Sequence, residues 1–371
     1  MEMLQTQRLF SQQSLAESKA VLCLSKQKLI ENIHTVKVAG NDNTKLLAVL
    51  KANAYGIGVD TFLEFLNETE IDFVGVVTVD EALELRKEGV EHPILLMMEP
   101  EIKALALILK HDISICLYSK DFLKELCAFP KEDLLNLKVH LKIDLGMSRL
   151  GLEKASLRTY LGIAQELGLK IEGVCSHFSS IHSDYEFSKL QLAEFDQIKN
   201  EVLELTHNSG IMFHIANTKA AHFLPNSRLD MVRVGFGLYN SAISLSSKIH
   251  LVKEIPSGST VGYDRSYLLN EDAQIAVVAF GYADGMPYQL GNQGMVAIKN
   301  KLYPIVGKIC MDWFMVNLGS NPDAIAKDDR VDIFRPDLES LKLENVAALI
   351  GVDPRMILCH LGKRVSRKVI D

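Results

Sequence analysis

Val49-Leu50-Lys51-Ala52-Asn53-Ala54-Tyr55-Gly56-Ile57-Gly58 is the stretch from which the chain can be read outward. Upstream of it, Leu46-Leu47-Ala48-Val49-Leu50 is an apolar, β-prone run with the length of a buried strand. Downstream, small residues, a tyrosine and two glycines break that run into a loop. Lys51 therefore stands at the carboxyl end of a strand. Taken alone, such a lysine reads first as a snorkelling residue that caps the strand.

The same texture repeats along the chain. A short strand at Val21 to Leu24 and a helical pattern from Lys26 to about Val38 precede the Lys51 strand. Strand-like runs follow at Phe73 to Val77, Ile94 to Met97, Ile113 to Leu117, Val139 to Ile143, Ile171 to Ser176, Met212 to Ala216 and Met231 to Val234. Helix-length segments separate most of them: Val79 to Glu88, Glu101 to Leu109, Lys120 to Ala128, Lys154 to Leu167 and Ser188 to Leu205. Thr78 and Glu81 have the spacing of a capping box, with Gly89 as the stop. Counted from Leu46, the alternation predicts a (β/α)8 TIM barrel, in which loops after the strands build the site. Beyond about Ser246 the segments Gln274 to Phe280, Met295 to Lys299, Pro304 to Ile309, Phe314 to Leu318 and Val331 to Phe334 are short, β-branched and bounded by turn residues. The expectation is an α/β chain of two domains. Residues 1–246 form the barrel and 247–371 a mostly β domain, with the strand near 21–24 pairing into the second. A helix near Leu341 to Ile350, a turn at Gly351 to Pro354 and a basic segment close the chain.

Composition narrows the function. With 371 residues, 48% hydrophobic, the chain can bury more than one core. A net charge of −7 and the lack of a basic stripe argue against nucleic acid and for a small-molecule ligand. Met1 to Lys19 is polar and uneven, with no apolar run suited to a signal peptide or membrane span, so a cytoplasmic protein is expected. Cys23, Cys116, Cys127, Cys175, Cys310 and Cys359 form no C-x-x-C pair and read as reduced core residues. No metal-binding pattern accompanies the histidines.

A partly desolvated lysine at a strand end can act as a neutral amine in Schiff-base chemistry with an aldehyde. Lys51-Ala52-Asn53-Ala54-Tyr55-Gly56 resembles the cofactor-lysine signature of the alanine racemases, pyridoxal-phosphate enzymes with a (β/α)8 barrel and a second domain. Their motif has His where Ile57 stands. The resemblance implies that Lys51 carries pyridoxal 5'-phosphate, with Tyr55 beside it.

Further motifs follow the later strands. Lys142-Ile143-Asp144-Leu145-Gly146-Met147-Ser148-Arg149 offers a glycine turn and an arginine. Alone it reads as a structural ion pair. The resemblance implies that Arg149 contacts the cofactor's phenolic oxygen and the substrate, positioned by Lys142, which is carbamylated in many members. His177 at the end of the sixth strand reads alone as structural; the resemblance places it against the pyridine ring. Asn217, Thr218, Gly235 and the amide of Phe236 follow strands seven and eight, where barrels of this class commonly hold phosphate. Arg233 is the most informative side chain. Facing a pyridine nitrogen, a guanidinium keeps that nitrogen unprotonated, so a carbanion stays local and is reprotonated at the same carbon.

In the second domain, Val261-Gly262-Tyr263-Asp264-Arg265, Gly281-Tyr282-Ala283-Asp284-Gly285 and Gly307-Lys308-Ile309-Cys310-Met311-Asp312 each read alone as turns. Jointly they resemble the racemase β domain. Tyr263 then matches a second catalytic base supplied by the partner subunit of a homodimer, Met311 and Asp312 match substrate-binding residues, and Tyr282 lines the entry. Two bases are what racemisation requires, one on each face of Cα.

The pattern also departs from the family. Arg355-Met356 replaces the usual Tyr-Glu pair, and Tyr288 and Lys308 stand where arginines are usual. Arg355 could contact the phosphate, help a nearby phenol ionise, or bind a larger, acidic substrate. The reading is a pyridoxal-phosphate racemase interconverting L- and D-alanine for cell-wall precursors. The alternatives are a racemase of another amino acid, a non-catalytic cofactor-binding barrel, which Tyr263 speaks against, and a decarboxylase, which usually carries glutamate where Arg233 stands.

Overall fold

The computed structural model describes residues 19–38 and 43–371, so most of the polar amino-terminal segment lies outside the described residues. The chain packs as two units. One comprises residues 30–38, 43–54 and 62–238; the other gathers residues 19–29, 55–61 and 239–371. Packing thus draws the division at Tyr239, and the glycine-rich end of the Lys51 stretch joins the β unit. The reason is local: the carbonyl of Gly56 accepts from Arg367 Nε at 2.9 Å, and Ile57 is buried.

In chain order the strands are β1 (Ala20–Ser25), β2 (Lys45–Val49), β3 (Phe73–Val76), β4 (Ile94–Leu96), β5 (Ile113–Leu117), β6 (Lys138–Lys142), β7 (Lys170–Cys175), β8 (Met212–His214), β9 (Met231–Val234) and β10 (Ile243–Ile255). Strands β2 to β9 form a parallel sheet in the order β8-β7-β6-β5-β4-β3-β2-β9. The circuit closes between β8 and β9 through a bridge between Asn217 and Arg233 and the bonds Asp230 N–H to Phe213 O and Arg233 N–H to Ala216 O. Strands β3, β4, β5 and β9 are buried at every position, as expected for strands covered on both faces. The Thr78–Glu81 capping box is present and starts the helix Val79–Lys87. The long helix runs Tyr185–Thr206, capped by the Asp184 carboxylate.

The β unit is built from β10 with β13 (Ala273–Val278), β14 (Met295–Ile298), β15 (Lys301–Val306), β16 (Phe314–Asn317), β17 (Arg330–Phe334) and β18 (Val365–Ile370), beside a small ribbon of β11 (Thr260–Val261) and β12 (Tyr267–Leu268). Because β10 pairs with both β13 and β17, the strands β10-β13-β16-β15-β14-β17 close on themselves. Register shifts at Leu245/Ser246 and Ile249/Leu251 bend β10 enough to serve both neighbours. β1 pairs antiparallel with β10 and parallel with β18. Two expectations need correction. A helix, Pro354–Cys359, follows the expected turn where no element beyond a basic segment was expected, nucleated by the Asp353 cap with proline at its first position. Of the cysteines, Cys116 and Cys175 are buried, Cys23 and Cys310 are half-buried, and Cys127 and Cys359 are exposed; all are free thiols.

Candidate active site

Lys51 does not open a loop. It opens a left-handed turn: Ala52, Asn53, Ala54 and Tyr55 have φ of 53°, 54°, 52° and 59°. For L-residues this conformation costs about 1–2 kcal/mol each and persists where surrounding structure enforces it. One enforcing contact is Glu81, whose carboxylate accepts from the amides of Ala52 (2.6 Å), Val77 (2.9 Å) and Thr78 (3.1 Å). A helix cap thereby pins the backbone next to Lys51. Replacing the exposed Ala52 by glycine is expected to raise the unfolding free energy by about 0.5–1 kcal/mol, with an unchanged urea m-value.

Arg233, on β9, is buried at 7% exposure inside the barrel. Nη1 donates to His214 Nδ1 (2.7 Å) and the His214 carbonyl (3.0 Å). Nη2 faces the Ser176 carbonyl (2.7 Å), His177 Nδ1 (3.1 Å) and the Ile215 carbonyl (3.1 Å). A guanidinium only donates, so both imidazoles must accept at Nδ1. Burial first, then the charge of Arg233, pushes the His177 pKa down to about 3 and drives His214 well below its ordinary range. The tautomers then propagate. His214 Nε2–H donates to His140 Nδ1 (2.9 Å), and His140 Nε2–H donates to Glu172 Oε2 (3.1 Å), which also accepts from Ser114 Oγ (2.5 Å). A directed relay runs from Arg233 to a carboxylate.

Burial pushes Glu172 up, but the hydrogen bonds from His140 and Ser114 outweigh it and hold the group at about 2, against an ordinary 4.5. The folded-state pKa is depressed, so the stabilisation is present above the unfolded pKa and is lost as pH falls through the folded one. Wild type is expected to lose stability relative to Glu172→Gln between pH 4.5 and about 2, in acid-denaturation curves of the two proteins.

The loop carrying Arg149 is wound on Asp144. Its carboxylate accepts from the amides of Gly146 (2.9 Å), Met147 (2.9 Å), Ser148 (3.1 Å) and Arg149 (3.2 Å). Burial raises this group, but the amides prevail and keep it below the usual range. Arg149 itself is exposed at the end of that loop. After β8, Asn217 caps the helix Thr218–Phe223 by accepting from the Ala220 amide at 3.0 Å. Thr218 Oγ1 meets the Gly235 amide at 3.4 Å, and a Cβ on Gly237 would lie 2.1 Å from Thr218 Cγ2. Only glycine lets the backbone beyond Phe236 come so close to that hydroxyl.

This donor set fits pyridoxal phosphate. Among the described residues Arg233 Nε has no protein acceptor, which leaves one N–H for a pyridine nitrogen. His177 is neutral and can lie against an aromatic ring. Thr218 with the amides around Gly235 and Phe236 could hold a phosphate, and Lys51 could supply the amine.

In the β unit, Tyr263 is 67% exposed on a turn where Gly262, Asp264 and Arg265 all have positive φ. Lys308 pairs with Asp264 and hydrogen-bonds Tyr288, which raises its pKa. Tyr282 and Met311-Asp312 are locked together. The amides of Tyr282 and Ala283 donate to the carbonyls of Cys310 and Met311, both at 3.0 Å, and Arg364 bridges Asp284 (2.7 Å) and Asp312 (2.8 Å). Arg355 binds Asp353 through Nε (2.7 Å) and Nη2 (2.5 Å). Burial pushes Tyr55 up to about 12 against the opposing charge of Arg355. The structure therefore joins Lys51, Lys142, Arg149, His177, Asn217, Thr218, Arg233, Gly235 and Phe236 to one unit. Tyr55, Tyr263, Tyr282, Met311, Asp312 and Arg355 belong to the other.

Glu81, His140, Asp144, Glu172, Asp353 and Arg364 carry much of this geometry without having been assigned a site role from sequence. His140 and Glu172 do leave a trace, as polar residues inside otherwise apolar strand runs.

Comparison with known proteins gives the same picture. The N-terminal domain of alanine racemase matches residues 24–242, and the C-terminal domain matches 242–369. Alanine racemase 1 of Caldanaerobacter subterraneus subsp. tengcongensis is 32% identical, over 91% of this chain and 92% of the relative. The alanine racemase of Clostridium difficile 630 superposes with a TM-score of 0.86 at 27% identity, over 95% of this chain and 96% of that one. The alanine racemase of Bartonella henselae, solved with covalently bound pyridoxal phosphate, gives 0.83 at 26% identity, over 95% and 99%. With both domains matched in order along nearly its whole described length, the chain belongs to the alanine racemase family.

Proposed function

We propose that this protein is a pyridoxal-phosphate-dependent racemase that interconverts L- and D-alanine, acting as a homodimer in the cytoplasm to supply D-alanine for peptidoglycan. The observation that carries the reading is Arg233: a buried guanidinium held between two imidazoles kept neutral, with Nε to spare, in the barrel that carries Lys51. Bound pyridoxal phosphate supplies an electron sink that acidifies the Cα–H of an attached amino acid. Lys51, Thr218, Gly235 and Phe236 would hold it, with His177 against its ring, Asn217 shaping the cup, and Tyr55 and Arg355 near the phosphate. Arg233 would face the ring nitrogen and, never surrendering a proton, would keep that nitrogen unprotonated. Lys51 Nζ moves the proton on one face of Cα. The partner subunit's Tyr263 moves it on the other, a role supported by the exposure of Tyr263 on the β unit. Arg149 orients the substrate carboxylate, Met311 and Asp312 bound the substrate, and Tyr282 lines the entry.

The Asp353 carboxylate already occupies two donors of Arg355, which disfavours an acidic substrate. Chiral chromatography of purified protein with pyridoxal phosphate and, separately, L-alanine, L-serine, L-glutamate and L-aspartate tests the reading. D-Alanine is expected to dominate and to vanish in Lys51→Ala. Turnover of only the acidic substrates would move the assignment to another racemase.

A further inference from the structure

Between two helices of the barrel's outer ring lies a cavity of about 450 Å³ that shares no residue with the site described above. One wall is the helix Lys120–Leu126, which follows β5; the other is the helix Leu157–Glu166, which follows β6. The first helix and its C-terminal cap present Lys120, Leu123, Lys124 and Cys127. From the second come the N-terminal cap Ser156, then Thr159, Tyr160 and Ile163. Both sets run i, i+3, i+4, i+7, so each lies along a single helix face. The volume falls within the ~300–1,000 Å³ typical of small-molecule sites.

Tyr160 is the residue that points to a ligand. It is 7% exposed, yet among the described residues its hydroxyl has no hydrogen-bond partner. That hydroxyl is not sealed in the interior; it opens on the cavity that Tyr160 lines. Polar groups of buried residues are normally paired, and one left unpaired at a cavity wall calls for a partner from outside the chain. Burial first, then the negative charges of Glu99 and Asp121, push the Tyr160 pKa up, so the phenol keeps its proton for donation.

Charge decides the partner's chemistry. Lys120 and Lys124 stand on the facing wall, and the ion pair of Lys124 with Asp121 is long, at 3.4 Å, and exposed, so it holds the ammonium only weakly. The helix Leu157–Glu166 begins at Ser156 without a side-chain cap, which leaves its positive end at the cavity wall. Leu123, Leu152 and Ile163 add apolar surface beside these donors. We propose that the cavity binds a small organic carboxylate with an apolar body, its charged group received by Lys120, Lys124 and the Tyr160 hydroxyl. Glu153, the one carboxylate among the lining residues, repels a second negative charge and so favours a monocarboxylate over a dicarboxylate.

Cys127, an exposed free thiol at the end of the lysine stripe, reports occupancy. In the holoenzyme, its alkylation by iodoacetamide is followed by peptide mass spectrometry against rising 2-naphthoate or octanoate. Neutral 2-naphthamide serves for comparison, and free cysteine in the same solutions corrects for the reagent. The carboxylates are expected to protect Cys127 saturably and the amide is not. The concentration giving half protection should rise about tenfold in the double variant Lys120→Gln, Lys124→Gln and in Tyr160→Phe, the scale of one charge-assisted hydrogen bond. Tyr160→Phe should nevertheless unfold at the same or a higher urea concentration, because the hydroxyl it removes has no partner in the protein. Failure of both carboxylates to protect Cys127, equal protection by the amide, or undiminished protection in the double variant would overturn the proposal. None of these readouts depends on turnover.

Discussion

Arg233→Glu is expected to lower alanine racemisation by about 10²–10³-fold, the scale on which removal of one preorganised donor is felt, and to raise the share of keto acid among the products. The direction follows from charge. Arg233 faces two imidazoles that burial and its own charge keep neutral, so nothing around it offers a proton to a ring nitrogen. A glutamate would reverse this, since a carboxylate raised by burial can carry a proton to that nitrogen. A bound cofactor protonated there would be the stronger electron sink, which would favour keto acid over racemate.

Structural damage would accompany the chemical change. Glutamate offers at most one donor where Arg233 serves the carbonyls of Ser176, His214 and Ile215, so unfolding midpoints must be measured beside the kinetics. Arg233→Lys serves as the control, because it keeps the charge while losing the planar fork. The two variants separate when racemate and keto acid are both assayed. A fall in rate with no change in the product ratio in Arg233→Glu would mean that the arginine only braces the barrel.

The barrel was legible because most of its strands are buried on both faces and so stand out as largely apolar runs, from Leu46-Leu47-Ala48-Val49 to Met231-Val232-Arg233-Val234, in which Arg233 is the exception. β10 and β18 were not. The long β10 turns exposed after His250, and Val365-Ser366-Arg367-Lys368-Val369-Ile370 is interrupted by charge, so neither carries a continuous signal. The left-handed turn after Lys51 was hidden for another reason: Ala-Asn-Ala-Tyr contains no glycine to announce positive φ, and tertiary contacts such as that of Glu81 impose it. The relay from Arg233 to Glu172 joins residues on β6, β7, β8 and β9. Its assembly depends on the register shift between Val139 and His140 opposite β7, which no local sequence rule reports. Side chains at strand ends, such as Lys51 and Arg233, were readable as candidates for chemistry. Those that hold them required the fold.

Tyr263→Phe is expected to reduce racemisation by about 10²–10⁴-fold, the usual range for loss of one acid–base group, while exchange of the Cα hydrogen with solvent survives for one enantiomer. The substitution removes a single hydroxyl from a side chain that is 67% exposed, so the fold has little to lose. The supporting turn is held by other means, through the Lys308–Asp264 ion pair and the close approach of Gly262 to the Lys308 amide. Lys51 remains, and a single base can remove a proton from its own face of Cα and return a deuteron there without inverting the centre. In heavy water, proton NMR should therefore show one enantiomer losing its Cα signal with retained configuration and the other enantiomer inert. Lys51→Ala should abolish exchange from both, since the chain then lacks the amine as well as the base. If Tyr263→Phe racemised at the wild-type rate, or lost exchange from both enantiomers alike, the division of labour between the two faces would have to be abandoned.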